Sequence, residues 1–365
     1  MTRRYAWALL TFVLAACGPP TPTPTPPPDH VVQPIQSAVP MTSAAAPVVP
    51  NPTASASAAA PESTGPAPSA AAAPAPSSSG PPFPPPSFVP PHARSAAPGD
   101  GVFTLVEEGS AAGTGALART MVHPLPYKKD AFVVVLAIDL RRVELVPMAG
   151  TEEPVAPTVP AEHRPGLVPA ADLPALIAVF NGGFLSKHGQ FGMRVNGEDF
   201  APAREDSCSV AFLDDGSLRI ATHKALAPVA ARLRSFRQTP PCLSEGGVLD
   251  ARLAHEDTAR LWGAAIGGKR EIRRTALGLD ASGRTLFFGL GDWIWARDLA
   301  LAMKAAGAVD VAELDINWSY TRFLLYDRAT PPNVVSTLID KVEYTKGGYI
   351  SKPAPRDFFY LRRKN

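Results

Sequence analysis

Proline sets the first limit on what this chain can fold into. Of its 42 prolines, 25 fall between residues 18 and 100, mixed with Ala, Ser and Thr, and that stretch carries only Asp29, Glu62, Arg94 and Asp100 as formal charges. A segment so poor in large apolar residues buries too little to offset the entropy of ordering it. Proline also removes backbone donors and fixes φ, which favours extended polyproline conformations. Residues 17–100 are therefore expected to be a disordered, semi-extended tether whose reach lies between a coil of roughly 50 Å and a stretched limit of roughly 250 Å. Binding of a Pro-recognising partner is the other reading, and composition alone speaks for it.

Ahead of the tether, Arg3-Arg4 precede an apolar run from Tyr5 to Ala16, which ends in Leu14-Ala15-Ala16-Cys17. This is the order of a secretory signal over residues 1–16, and the run is too short to span a bilayer. A small-residue site ending at a cysteine resembles the lipobox, at which that cysteine receives lipid, palmitate included, and becomes the first mature residue. The expected product is a lipoprotein outside the cytoplasm, held to the membrane of the cell envelope through Cys17. Gly18, where an acidic residue is associated with inner-membrane retention, leans toward an outer membrane, facing periplasm or surface. An ordinary cleaved signal with an incidental cysteine is the alternative, and Arg3-Arg4 read either as twin-arginine export or as a plain positive n-region.

Residues 101–365 contain no second linker and are expected to form one domain. They hold 32 basic and 30 acidic side chains. That balance excludes the basic footprint of a nucleic-acid binder and leaves no polybasic membrane patch. Cys208 and Cys242 remain as an even pair in an oxidising compartment, so a disulfide is the natural reading. Two free buried thiols are the alternative, since sequence does not fix the distance between their Cα atoms.

Within the domain, Ala131–Asp139, Val143–Val146, Leu176–Phe180, Ser209–Leu213, Thr275–Leu279, Thr285–Leu290 and Val309–Leu314 are short apolar or β-branched runs bounded by turn signals such as Asn181-Gly182-Gly183 and Asp214-Asp215-Gly216. Asp298–Ala306, with an acidic start and Gly307 as C-cap, reads as an amphipathic helix, and Pro228 opens a shorter one to about Phe236. The expected class is α+β: a mixed, largely antiparallel sheet with a few packing helices.

The sequence has no Gly-x-Ser-x-Gly elbow, no Gly-x-x-x-x-Gly-Lys-Ser/Thr loop and no His-Glu-x-x-His, since His255-Glu256 lacks a second histidine, so serine hydrolase, P-loop enzyme and zincin are poor readings. No metal-ligating or cofactor motif stands out either, so neither a metal nor a cofactor is expected. What remains is a set of polar residues at strand ends. Gly182 and Gly183 can turn amide N–H groups toward an anion as a nest, with Asn181 adding a donor and an acceptor, or they form a simple turn. Arg274, beside Arg273 and Thr275, offers a bidentate clamp for phosphate or carboxylate, or a plain salt bridge. Asp315 closes an apolar strand beside Asn317, Ser319 and Thr321, placed to act as acid, base or nucleophile, or to cap a turn. Glu245 and Asp292 are carboxylates next to glycines, where backbone can approach a ligand, and each is also common in turns.

Taken in order, these pieces resemble the phosphodiester glycosidase family. Its Asn-Gly-Gly-Phe-Phe appears as Asn181-Gly182-Gly183-Phe184-Leu185, followed by Gly192–Gly197, and its Arg-Thr-Ala-Ile-Gly as Arg274-Thr275-Ala276-Leu277-Gly278. The likeness runs from about Phe132 to Asp327. One motif departs: the family's Leu-Asp-Gly-Gly-Gly-Ser-Ser-Thr reads Leu314-Asp315-Ile316-Asn317-Trp318-Ser319-Tyr320-Thr321. The resemblance implies a hydrolase that cleaves a sugar from a sugar 1-phosphodiester. Asp315 would handle the sugar or the water, and Arg274 with the Gly182 and Gly183 amides would stabilise departing charge. Asn181 would position a hydroxyl or the phosphate. The bulk of Ile316, Asn317 and Trp318 supports a rival expectation, a catalytically inactive lipoprotein of the same fold that binds envelope glycans on Trp318 and Tyr320. A purely structural lipoprotein would leave Asn181, Arg274 and Asp315 apart.

Overall fold

A computed structural model describes residues 81–265 and 267–364. The expected signal, Cys17 and most of the tether lie outside the described residues. Among the described residues, no helix is long and apolar enough to cross a membrane.

The β-rich expectation holds, but the strands form three sheets and every pairing within them is antiparallel. The largest has eight strands, and at its centre Phe132–Asp139, Thr285–Ile294, Ile272–Leu279 and Asp310–Ile316 lie side by side in that order. A five-stranded sheet is built around Leu233–Thr239 and Cys208–Leu213, and another around Leu176–Asn181 and Phe358–Arg363. Phe180 explains how they share a core. Its ring lies 4.9 Å from that of Phe288, 5.6 Å from Phe323 and 5.5 Å from Phe359, and Phe359 continues to Phe212 at 6.3 Å. Each sheet thus contributes an aromatic to one cluster, where offset rings add to the burial of apolar surface.

The other face of the large sheet is covered by the helix Ala296–Ala305, which buries Leu299, Ala300 and Met303. Gly278 and Gly289 make room for the helix and the turn after it: a Cβ on Gly278 would come within 2.7 Å of Ala308 Cβ, and one on Gly289 within 2.6 Å of Met303 Sδ. The second expected helix is corrected. His223–Arg232 is a 3₁₀ segment with Pro228 inside it, and Leu233–Thr239 is a strand. A proline lacks the N–H of an α-helical ladder, and the strand is fixed by pairing with Cys208–Leu213.

The tether boundary moves as well. Phe83 and Phe88 pack against the core on the helix side of the large sheet, the Phe88 N–H donates to Gly101 O at 3.0 Å, and Asp100 holds His123 Nδ1 at 2.8 Å. The packed chain therefore begins before residue 101, because these phenylalanines supply the apolar bulk that the earlier stretch lacks.

Cys208 and Cys242, 34 positions apart in sequence, form a disulfide with Cα atoms 4.7 Å apart. A loop of that length constrains the unfolded chain by about 3–4 kcal/mol. Cys242→Ser is expected to lower the unfolding free energy in urea by about that amount.

Candidate functional site

The site is built where the central strand Ile272–Leu279 meets its two neighbours. On one side Ile272 pairs with Ile294 and Arg274 with Gly291, so two residues, Asp292 and Trp293, stand against Arg273 alone. On the other, Arg274 pairs with Ile316 and Ala276 with Glu313, so Leu314 and Asp315 stand against Thr275. These are bulges, which bend a strand and re-aim its side chains and which are frequent beside active sites. Asp292, Trp293 and Asp315 thus come to the same end of the sheet.

The expected residues Asn181, Gly182, Thr275 and Asp315 do converge. Asn181 Nδ2 donates to Thr275 Oγ1 at 2.8 Å, Thr275 Oγ1 donates to Asp315 O at 2.8 Å, and the Asp315 N–H donates to Gly182 O at 3.0 Å. Asn181 is wholly buried, and its Oδ1 accepts the Arg322 N–H at 3.0 Å. It ties three segments together and has no atom left to position a substrate hydroxyl or phosphate, which corrects the role expected of it. Thr321, also buried, closes the turn after the strand by donating Oγ1–H to Asn317 O at 2.7 Å.

Two further expectations are corrected. Arg274 is not a free clamp: its Nε donates to Ile294 O, one terminal nitrogen to Glu313 Oε1 and Trp262 O, and the other to Gly263 O and Arg270 O. A guanidinium has five N–H donors, and all five are used. The salt bridge to buried Glu313, at 2.7 Å, is the reading that prevails. Burial pushes the Glu313 carboxyl up to about 7 against the opposing pull of Arg274.

The glycine nest exists, but its anion belongs to the protein. The Gly182 N–H donates to Asp357 O at 3.1 Å and the Gly183 N–H to Asp357 Oδ2 at 2.8 Å. Asp357 is held in turn by Arg237, whose Nε lies 2.8 Å from Oδ2, with both side chains all but fully buried. A Cβ on Gly182 would lie 2.0 Å from Asp357 Oδ2. Glycine is needed there to admit this carboxylate rather than a substrate. Gly182→Ala is expected to cost about 3 kcal/mol or more, by overpacking and by displacing half of a buried ion pair, as urea denaturation would record.

Asp315 keeps the most reactive surroundings. It is 5% exposed; Oδ1 accepts the Ile316 N–H at 2.9 Å and Oδ2 is paired with Arg356. Burial pushes its carboxyl up to about 6, opposed by the Arg356 charge. Arg356 was missed in the sequence, although Arg356-Asp357 stands before an apolar strand just as Arg273-Arg274 does. Its guanidinium lies 3.8 Å from the Tyr320 ring centre and donates to Gly183 O at 3.2 Å, and its Nε has no protein partner. That nitrogen is buried, but the side chain as a whole is 17% exposed, which makes Arg356 the partly accessible cation beside Asp315. Tyr320 offers no stacking face for sugar: it is buried, its OH donates to Asp357 O, and Arg356 and Arg322 lie over its ring.

The remaining residues divide. Asp292, nearly buried, binds Arg273 through Oδ2 at 2.7 Å and the Trp318 indole N–H through Oδ1 at 2.7 Å, so it belongs to this rim. Asn317 sits at φ +77°, a left-handed conformation that glycine or asparagine takes most readily, and its N–H donates to Arg273 O at 2.8 Å. Ile316 packs with Phe184 and Ile272. Ser319 is exposed, and its carbonyl accepts from Arg322. Glu245 is elsewhere. Its neighbour Ser244 pairs with Val311, four residues or about 13 Å along the strand from Asp315, and its carboxylate accepts from Thr222 N at 2.7 Å and Oγ1 at 2.8 Å.

No family model matches the chain, and no curated protein sequence matches it. Among solved structures, the chain is similar to the zebrafish N-acetylglucosamine-1-phosphodiester alpha-N-acetylglucosaminidase catalytic domain auto-inhibited by its pro-peptide. The identity is 13%, over 70% of this chain and 86% of that one, with a TM-score of 0.44. A Synechocystis protein without assigned function is 10% identical over 68% of this chain and 62% of its own, with a TM-score of 0.40. An exported protein of Burkholderia pseudomallei is 12% identical over 64% and 74%, with a TM-score of 0.37.

Proposed function

We propose that the protein is a lipid-anchored hydrolase of the cell envelope that cleaves a sugar from a sugar 1-phosphodiester, with Asp315 as its carboxyl group and Arg356 as its anion-binding cation. The observation that carries this reading is the Asp315–Arg356 pair on a bulge: a carboxyl pushed up to about 6 next to a partly exposed guanidinium. In the reaction, water attacks the anomeric carbon, the bond from that carbon to the phosphodiester oxygen breaks, and the electron pair leaves with the phosphate. Asp315, ionised, takes the proton from water, and Arg356 faces the departing negative charge. Phosphate is a good leaving group and needs little protonation.

A base must be ionised, so sugar release is expected to fall about tenfold per unit as pH drops below about 6 and to level off above it. A pH–rate profile that instead fell on the alkaline side would assign Asp315 the role of acid. The anchor is tested separately: Cys17→Ser is expected to move the protein from the membrane to the soluble fraction and to abolish incorporation of labelled palmitate.

One observation favours a second reading, an inactive glycan-binding relative. Ile316 fills the loop, and the nest amides and Arg274 are already engaged. Glycan binding without cleavage of any sugar 1-phosphodiester would select it.

A further inference from the structure

Two indole rings stand together on the rim beside Asp315. Trp318 takes a place where the resembled motif has glycine, and Trp293 lies in the bulge on the far side of the central strand. Their ring centres are 5.0 Å apart with planes tilted by 54°, which makes a wedge rather than a closed stack. Trp293 is 39% exposed, an unusual outlay for the largest apolar side chain. It is also held at φ +56°, a conformation that bulky residues avoid and that persists only where the surroundings impose it, often at ligand clamps.

Asp292 imposes it. Its Oδ1 accepts both the Trp293 backbone N–H at 3.1 Å and the Trp318 indole N–H at 2.7 Å, while Oδ2 is fixed by buried Arg273. One carboxylate, anchored from below, thus orients both rings. Lys269 extends over them, its Nζ 4.2 Å from the Trp293 ring centre and 5.9 Å from that of Trp318.

We infer that Trp293 and Trp318, flanked by Lys269, form a subsite that stacks the pyranose ring of a carbohydrate ligand. The C–H face of a pyranose is apolar and matches an indole face; Lys269 Nζ stands over the Trp293 ring, so a pyranose takes that face by displacing the ammonium, which then meets its outward hydroxyls. The inference rests on the sugar-phosphodiester reading only for the ligand offered as probe.

The test is calorimetric titration of the full chain with glucose, galactose, mannose and N-acetylglucosamine 1-phosphates. It is run on the parent, Trp293→Ala, Trp293→Tyr, Trp318→Phe and Asp315→Asn, with thermal unfolding recorded for each. The expected result is a Kd for at least one sugar phosphate that rises about tenfold or more in Trp293→Ala and returns to within about threefold of the parent in Trp293→Tyr, at unchanged unfolding temperature in the latter. Equal affinity in Trp293→Ala and parent, or a Tyr variant as weak as the Ala variant, overturns the subsite. Binding that depends on Trp293 without turnover of any phosphodiester by the parent supports the subsite and refutes the hydrolase reading. Turnover lost in Asp315→Asn but unaffected in Trp293→Ala does the reverse. No binding of any of the four sugars by the parent overturns the subsite.

Discussion

Replacing Asp357 by Ala is expected to lower the unfolding free energy by about 3–5 kcal/mol. The side chain completes a buried pair with Arg237, and both are almost entirely removed from solvent. Removing one member leaves a guanidinium without its counter-charge in a low-dielectric setting, and it strands the Gly183 N–H that the carboxylate accepts. The other Arg237 donors go to Phe184 O, Phe191 O and Gln238 O, so the arginine cannot turn to solvent without breaking the junction between two sheets. Asp357→Asn keeps an acceptor for the glycine amide but loses the charge, and its cost should fall between parent and Ala. Urea denaturation of the three proteins checks the order. An Ala variant as stable as the parent would mean that the pair contributes nothing net.

Asp315→Asn should separate activity from stability. Turnover is expected to fall by about 100-fold or more, because an amide cannot take the proton from water. Stability should move the other way at alkaline pH. The folded-state pKa of Asp315 lies above its ordinary 3.8, at about 6, so the carboxyl contributes stability that is fully present below about pH 4 and is lost as pH rises through 6. At pH 8 the buried carboxylate is a burden that the amide does not carry. The variant's stability relative to the parent is therefore expected to increase between pH 4 and pH 8, by about 3 kcal/mol from the size of the shift. Thermal melts at the two pH values check the sign. A relative stability that is flat with pH would show that Asp315 titrates as an ordinary exposed carboxylate.

Most strands were legible in the sequence because β-branched runs with tight turns leave few options, and the helix was legible from its acidic start and Gly307. Their division into three sheets was not, since it depends on where Phe180 finds Phe288, Phe323 and Phe359, contacts made far apart along the chain. The site was legible in part. Asn181, Thr275 and Asp315 meet through hydrogen bonds, whereas Arg274, expected with them, turns to Glu313. Arg274 and the glycine nest kept the chemistry read from them, a guanidinium seeking a carboxylate and amides seeking an anion, but both found partners inside the protein. Glu313 was hidden within an apolar strand, and Arg237 within a stretch whose neighbour Pro228 suggested a helix. Glu313 and Asp315 sit two apart, which in a regular strand puts them on one face; the bulge at Leu314 and Asp315 sends one to Arg274 and the other to Arg356.

Cleavage of a sugar 1-phosphodiester by Asp315 and Arg356 is decided by following free sugar released from a panel of hexose 1-phosphodiesters by the chain from residue 18 onward, beside Asp315→Asn. Release by the parent and its loss in the variant is the expected result; release that survives in the variant, or no release from any member of the panel, would overturn the assignment.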